Sequence, residues 1–221
     1  MERYQIAEPG PRERATYADG DRAAFYLHIF KAGFHLPLGG FFCGVMEEYG
    51  LSPNQLKPNS WAILVTYFLV CREKGWRPAI GVVKDLYVLK RAEPGCYYLQ
   101  AREEGRMVVD LPSNAHMKRD QFFVVTKRAD TEWGFPLRWG MMAKANNQRV
   151  ALEDAEKDQV LFFRGGAVSS RVYLTFRNIQ RECLGRDLED VPEGLVYPVG
   201  RQRRRRLLRR QRGKTGFFKC L

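Results

Sequence analysis

Acidic residues are where chemistry would start, because metal-assisted cleavage or transfer of a nucleic-acid strand needs about three carboxylates converging on a pair of ions. Asp85, Asp110, Asp130 and Glu132 are the candidates in this chain. The pattern around them puts Asp85 on the outward side of a helix, Asp110 after a strand, and Asp130 and Glu132 in a polar loop. No metal site is therefore expected. Asp130-Thr131-Glu132 lacks the glycine of an aspartic-protease turn, and no GxSxG, HExxH or GxxxxGKS/T run occurs. His28, His35 and His116 share no ligand spacing with the cysteines, so surface or capping use is expected of each. Cys43, Cys71, Cys96, Cys183 and Cys220 contain no CxxC pair, build no zinc knuckle and read as reduced thiols of an intracellular compartment. The expectation is a protein that is not an enzyme, with no catalytic residue, metal, cofactor or small-molecule substrate.

Charge is the sharper signal. Ten of the 37 Lys and Arg lie between Arg201 and Leu221, where there is no acid, which leaves 27 against 25 Asp and Glu in the rest. The net +12 is thus a property of the C-terminal end, and the body carries only +2. Arg201, Arg203, Arg204, Arg205, Arg206, Arg209, Arg210, Arg212 and Lys214 form a run with little apolar content, expected to be disordered in isolation. Guanidinium forks pair with phosphate, and the counterions they release make such binding salt-sensitive and blind to sequence. The same residues suit a nuclear import receptor, so a nuclear location is expected, with cytoplasm as the alternative. Tyr97, Tyr98, Phe122, Phe123, Trp133 and Trp139 could in principle stack bases on a small sheet. Few cations interleave with them, and core packing is the expected role.

The elements that must carry these groups are clearest between Phe34 and Gly75. Phe41, Phe42, Val45, Met46 and Tyr49 repeat at helical spacing and Gly50 stands where a left-handed cap belongs. Ser52-Pro53-Asn54-Gln55 has the spacing of a capping box for one short turn, ended by Pro58. Trp61 to Cys71 is apolar on all sides, and such a helix must be buried. At about half the length of a spanning helix it predicts no membrane contact. Ala23, Ala24, Tyr26, Leu27 and Phe30 suggest an earlier helix. Ile80, Val83, Leu86, Tyr87 and Leu89 suggest a later one, with Lys84, Asp85 and Lys90 outward. From Gly95 the grammar turns to strands: Cys96 to Arg102 returning through Met107 to Val109 as a hairpin, and Gln121 to Thr126 as a third strand. Trp133 to Trp139 alternates large apolar residues with breakers and should wrap a core. Lys144 to Asp158 is a polar linker or helix start, Val160 to Phe163 an apolar island, and Ser169-Ser170 can cap a helix through Cys183.

The same stretch carries a resemblance. Leu36-Pro37-Leu38 with Phe41-Phe42, Tyr49-Gly50-Leu51, and Gln55-Leu56 with Pro58-Asn59-Ser60-Trp61 resemble the signature of the gypsy-type transposon (transposase-like) domain abundant in plant genomes. Gly95 to Arg102, Leu111 to Asn114, Phe122 to Val125 and Trp133 to Trp139 resemble later blocks of that family in order, so the resemblance runs from about Ala23 to Trp139. His116-Met117-Lys118-Arg119 departs from the family's usual run before the third strand. The resemblance implies a retroelement origin and brings no catalytic residue set.

The expected fold is α+β: a mainly helical bundle followed by a small antiparallel hairpin or three-stranded sheet, with a disordered basic tail. Residues 1–20 form an irregular lead-in, 21–140 the transposon-like domain with helices in 21–90 and the small sheet in 96–126, 141–200 a helical extension, and 201–221 the tail. The expected function is a non-enzymatic, retrotransposon-derived interaction protein whose tail binds nucleic acid or directs import. Its alternatives are a Gag-like module that self-associates and a degenerate transposase or nuclease.

Overall fold

A computed structural model describes residues 3–16, 18–93, 95–103, 105–111 and 121–183. The expected tail from Arg201 to Lys214, residues 184–200 of the expected helical extension, the 112–114 part of the Leu111 to Asn114 block, the run His116 to Arg119 and Cys220 lie outside the described residues.

The centre is the helix foreseen from its apolar run. α3, Pro58–Lys74, has proline at its first turn and Gly75 as a left-handed cap at φ 69°. Pro58 therefore opens this helix instead of only closing the turn before it, because its ring fixes a helical φ where the missing N–H has no partner to lose. From Trp61 to Cys71 only Phe68 is not fully buried. α2, Gly40–Tyr49, ends in left-handed Gly50, and Pro53–Gln55 forms the predicted single turn with a capping box. Around them the rings of Phe25, Phe30, Phe34, Phe42, Trp61, Trp133 and Phe135 pack edge-on or tilted, except for the stacked Phe25–Phe34 pair, with centroids 4.9 to 6.4 Å apart. Trp61 is wholly buried and its indole N–H donates to Pro53 O at 3.1 Å.

The α+β class holds, with strands entering before the helices as well as after them. β1 (Tyr4–Ala7), β2 (Ala18–Asp19), β3 (Arg22–Tyr26) and β7 (Phe122–Lys127) form an antiparallel sheet in the order β1-β7-β3-β2. The expected irregular lead-in, residues 1–20, thus contains both edge strands, β1 and β2. The helix expected from Ala23 is strand β3 followed by the short α1, Leu27–Lys31. A run such as Ala-Ala-Phe-Tyr, buried throughout its length, fits either period, and pairing with β7 about a hundred residues away decides it.

The helix expected from Ile80 to Leu89 is likewise divided. α4, Ile80–Leu86, passes directly into β4, Tyr87–Arg91. β4 is the true hairpin partner of β5, Tyr97–Ala101, with Leu89 opposite Leu99. Met107 to Val109 does not return on β5 as expected. Instead β6, Val108–Val109, pairs in parallel with β8, Val168–Ser169. α5, Asp154–Gly165, joins the polar stretch and the apolar island in one helix, started by a Glu153/Glu156 capping box. The helix foreseen after Ser169-Ser170 is broken into α6 (Ser170–Tyr173), α7 (Phe176–Asn178) and a wide turn at Ile179–Cys183. Ser170 caps nothing, since its hydroxyl donates to Asp110 O at 2.9 Å.

Candidate functional site

The most organised polar chemistry lies inside the fold, on the turn between α2 and α3. The capping-box spacing brings Gln55 back to Ser52, whose N–H donates to Oε1 at 3.0 Å. The same carboxamide continues into the core. Its Oε1 accepts Gly140 N–H at 2.9 Å, and its Nε2 donates to Gly140 O at 2.8 Å and Gly95 O at 2.9 Å. Gly140 is held so closely there that a Cβ on it would stand 2.0 Å from Gly50 O. Asn54, one residue earlier, accepts Tyr26 N–H at 3.1 Å and donates to Ala24 O at 2.7 Å and Ala15 O at 2.9 Å. An amide side chain presents the same donor and acceptor as a peptide, so Asn54 serves β3 as a further strand would.

The device recurs. Asn147 accepts Leu89 N–H at 2.7 Å and donates to Leu89 O at 2.8 Å on β4, and Ser60 accepts Leu99 N–H at 2.8 Å on β5. Gln159 accepts the Tyr67 hydroxyl at 2.7 Å and donates to Arg77 O at 3.0 Å, tying α5 to α3. Edges of short strands are thereby closed by side chains, which removes donors and acceptors from the surface. Sequence reading caught Gln55 only as a local cap and passed over Asn54, Asn147 and Gln159. The available signal was Asn54-Gln55 next to Pro53, a polar pair between two helices that both have to be buried.

The four carboxylates do not converge. Asp85 was expected to face outward. Its side chain is 13 % exposed, held by Arg149 at 3.1 Å and Arg164 at 2.9 Å. Asp110 follows β6 with a left-handed φ of 58°. Asp130 and Glu132 line a cleft of about 490 Å³ with Arg3, Tyr4, Pro37, Arg128 and Thr131. Among the described residues no three His, Cys, Asp or Glu are grouped to hold a metal ion. Lys84, expected outward, is buried and paired with Glu48.

His35 is no surface residue either. It is buried with its Nδ1 3.0 Å from Gly33 O, its Nε2 has no hydrogen-bond partner, and burial pushes its pKa below the ordinary value. Cys43, Cys71, Cys96 and Cys183 are free thiols, and burial raises Cys71 and Cys183 to about 12, far from the thiolate a nucleophile needs. The aromatic set does not form a platform. Tyr97 and Tyr98 are on β5, Phe122 and Phe123 on β7, and Trp133 is in the central ring cluster, with only Tyr98 counted among the exposed residues. No helix among the described residues is long and apolar enough to cross a membrane.

With the turn and its two helices in view, the comparison with protein families is decisive for this region: residues 24–91 match the family described as "Putative gypsy type transposon". That segment, less than half of the chain, is similar to a gypsy-type transposon domain. The matched segment runs from β3 to the end of β4, so it contains Asn54, Gln55 and all of α3. Hydrogen-bond partners of the matched segment lie beyond it, at Ala15, Gly95, Gly140 and Gln159. No curated protein and no solved structure matches the chain.

Proposed function

We propose that the chain is a non-enzymatic interaction protein of plant retrotransposon type, and that it contacts nucleic acid, without sequence preference, through the arginine run from Arg201 to Arg212. The observation carrying this is charge segregation: ten cations without an acid follow a body whose 27 cations are balanced by 25 acids. The ion pairs of the body support the reading. Arg22 meets Glu13, Arg72 meets Glu182, Lys127 meets Asp21, and Arg149 and Arg164 share Asp85. A cation already paired has less to gain from a phosphate, whereas the arginine run has no acid within it. The same run fits an import receptor, which gives the nucleus as the place of action.

The test is fluorescence anisotropy of labelled DNA and RNA with the full chain and with a chain ending at Gly200, across a salt series. The full chain should bind and lose about a thousandfold in affinity between 50 and 200 mM salt, the loss expected when about six phosphates are neutralised. Equal binding by the chain ending at Gly200 would refute the reading. Loss of nuclear accumulation on the same deletion tests the import role.

A further inference from the structure

α5 buries one face and leaves the other bare. Gln159, Val160 and Phe163 turn into the body, while Asp154, Asp158 and Leu161 repeat at helical spacing on the outer side, with Leu161 64 % exposed. Phe162 flanks them at 37 % exposure, its ring 5.3 Å from that of Trp76, with Lys74 Nζ standing 5.0 Å from its centre. Open space stands beside Gly165 and Gly166, so nothing described covers the end of this face.

Charge is divided along it. Several of the charges are engaged within the copy: Asp154 with Lys157 at 2.7 Å, Arg164 with Asp85 at 2.9 Å, Arg72 with Glu182 at 3.3 Å, and Glu73 with the Tyr173 hydroxyl. Asp158, before Leu161, and Lys74, beside Phe162, are exposed and take part in no ion pair among the described residues. An acid and a cation on opposite sides of one apolar centre complement the same face turned end for end.

An antiparallel twofold at Leu161 makes the fit explicit. It sets Asp158 of the second copy level with Arg164, two residues or about 3 Å past Phe162. Asp158 and Phe162, four residues apart, share a flank, and the twofold returns each flank to itself, so this carboxylate arrives beside Lys74. The symmetry makes the contact twice, and the opposed axes pair the two helix dipoles favourably. On the other flank Lys157 and Arg164 stand opposite each other, each held by an acid of its own copy.

We propose that the outer face of α5, with Trp76 and Lys74, docks on the same face of a second copy. The patch is small, so the dimer is weak and reversible. It carries two arginine runs where one chain has one, and the association stands whether or not those runs bind nucleic acid.

The test is sedimentation equilibrium of the full chain over a concentration series, after nuclease treatment. A monomer–dimer equilibrium is expected. Leu161→Asp, on the twofold and so counted twice, should weaken it about a hundredfold, and Asp158→Lys or Lys74→Glu alone about tenfold. Mixing the Asp158→Lys chain with the Lys74→Glu chain should restore the dimer, since each copy then offers the charge the other needs, which no contact within one copy can do. All three residues are exposed, and thermal melts matching the parent's would show the variants folded. A chain that is monomeric at every concentration would overturn the proposal and leave this face to a different partner. A dimer indifferent to Leu161→Asp, or charge variants that do not rescue each other on mixing, would overturn it as well.

Discussion

Replacing Gln55 by alanine removes one wholly buried carboxamide and with it four hydrogen bonds, to Ser52 N, Gly95 O and both backbone groups of Gly140. At a net of about 1 kcal/mol for each bond, the loss is about 4 kcal/mol, before any cost of the space left behind. Domains of this size have about 5 to 15 kcal/mol in total, and each kcal/mol moves the midpoint about 2 to 4 °C, so Tm should fall about 8 to 16 °C. Circular dichroism of thermal and urea unfolding reads this directly. Gln100→Ala, on the exposed side of β5, is the control and should stay within about 0.5 kcal/mol of the parent. Gln55→Glu is the finer probe. It keeps the acceptor for Ser52 and Gly140 but turns an oxygen toward the Gly95 and Gly140 carbonyls, which favours the protonated acid in the fold. Its folded-state pKa then lies above the unfolded one, so its deficit relative to the parent should grow as pH rises and shrink as pH falls toward 5. A Gln55→Ala loss below about 1 kcal/mol, or a Gln55→Glu deficit that does not change with pH, would show that the carboxamide is not what holds the 95 and 140 segments to the turn.

Gly140→Ala should cost several kcal/mol, on the order of 3, since its Cβ would stand 2.0 Å from the Gly50 carbonyl oxygen, a backbone atom that cannot swing aside as a flexible side chain could. A melt within 3 °C of the parent would contradict that close approach. For His35 the folded pKa is lowered by burial, so below the ordinary value near 6.5 the unfolded chain binds more protons, and stability is lost as pH falls from about 7 toward 5. In His35→Leu that part of the slope should disappear from urea midpoints measured across the window. An unchanged slope would assign the acid sensitivity to other groups.

Much of the matched domain was legible because helix signals are local. Gly50 and Gly75 sit at the left-handed caps, Ser52 to Gln55 makes its turn, and the all-round apolar Trp61 to Cys71 run is buried. Strand identity was less legible. Arg22–Tyr26 and Tyr87–Arg91 read as parts of helices because a short apolar run fits both periods, and what selects the strand is a partner: β7 far along the chain for the first, β5 for the second. The inward-bonded polar groups were hidden for a related reason. Lys84, Asn147 and Gln159 look like surface residues until Glu48, Leu89 and Tyr67 are placed beside them.

By itself, then, the sequence determined the central helices, the resemblance of the turn between them, and the separation of a near-neutral body from an arginine-rich end, all of which follow from residue order within a turn or two of chain. Tertiary structure decided which strands exist, that the carboxylates stand apart, and that amide side chains close the sheet edges. Those outcomes depend on desolvated hydrogen bonds between segments tens of residues apart, whose strength exists only once packing has excluded water from them.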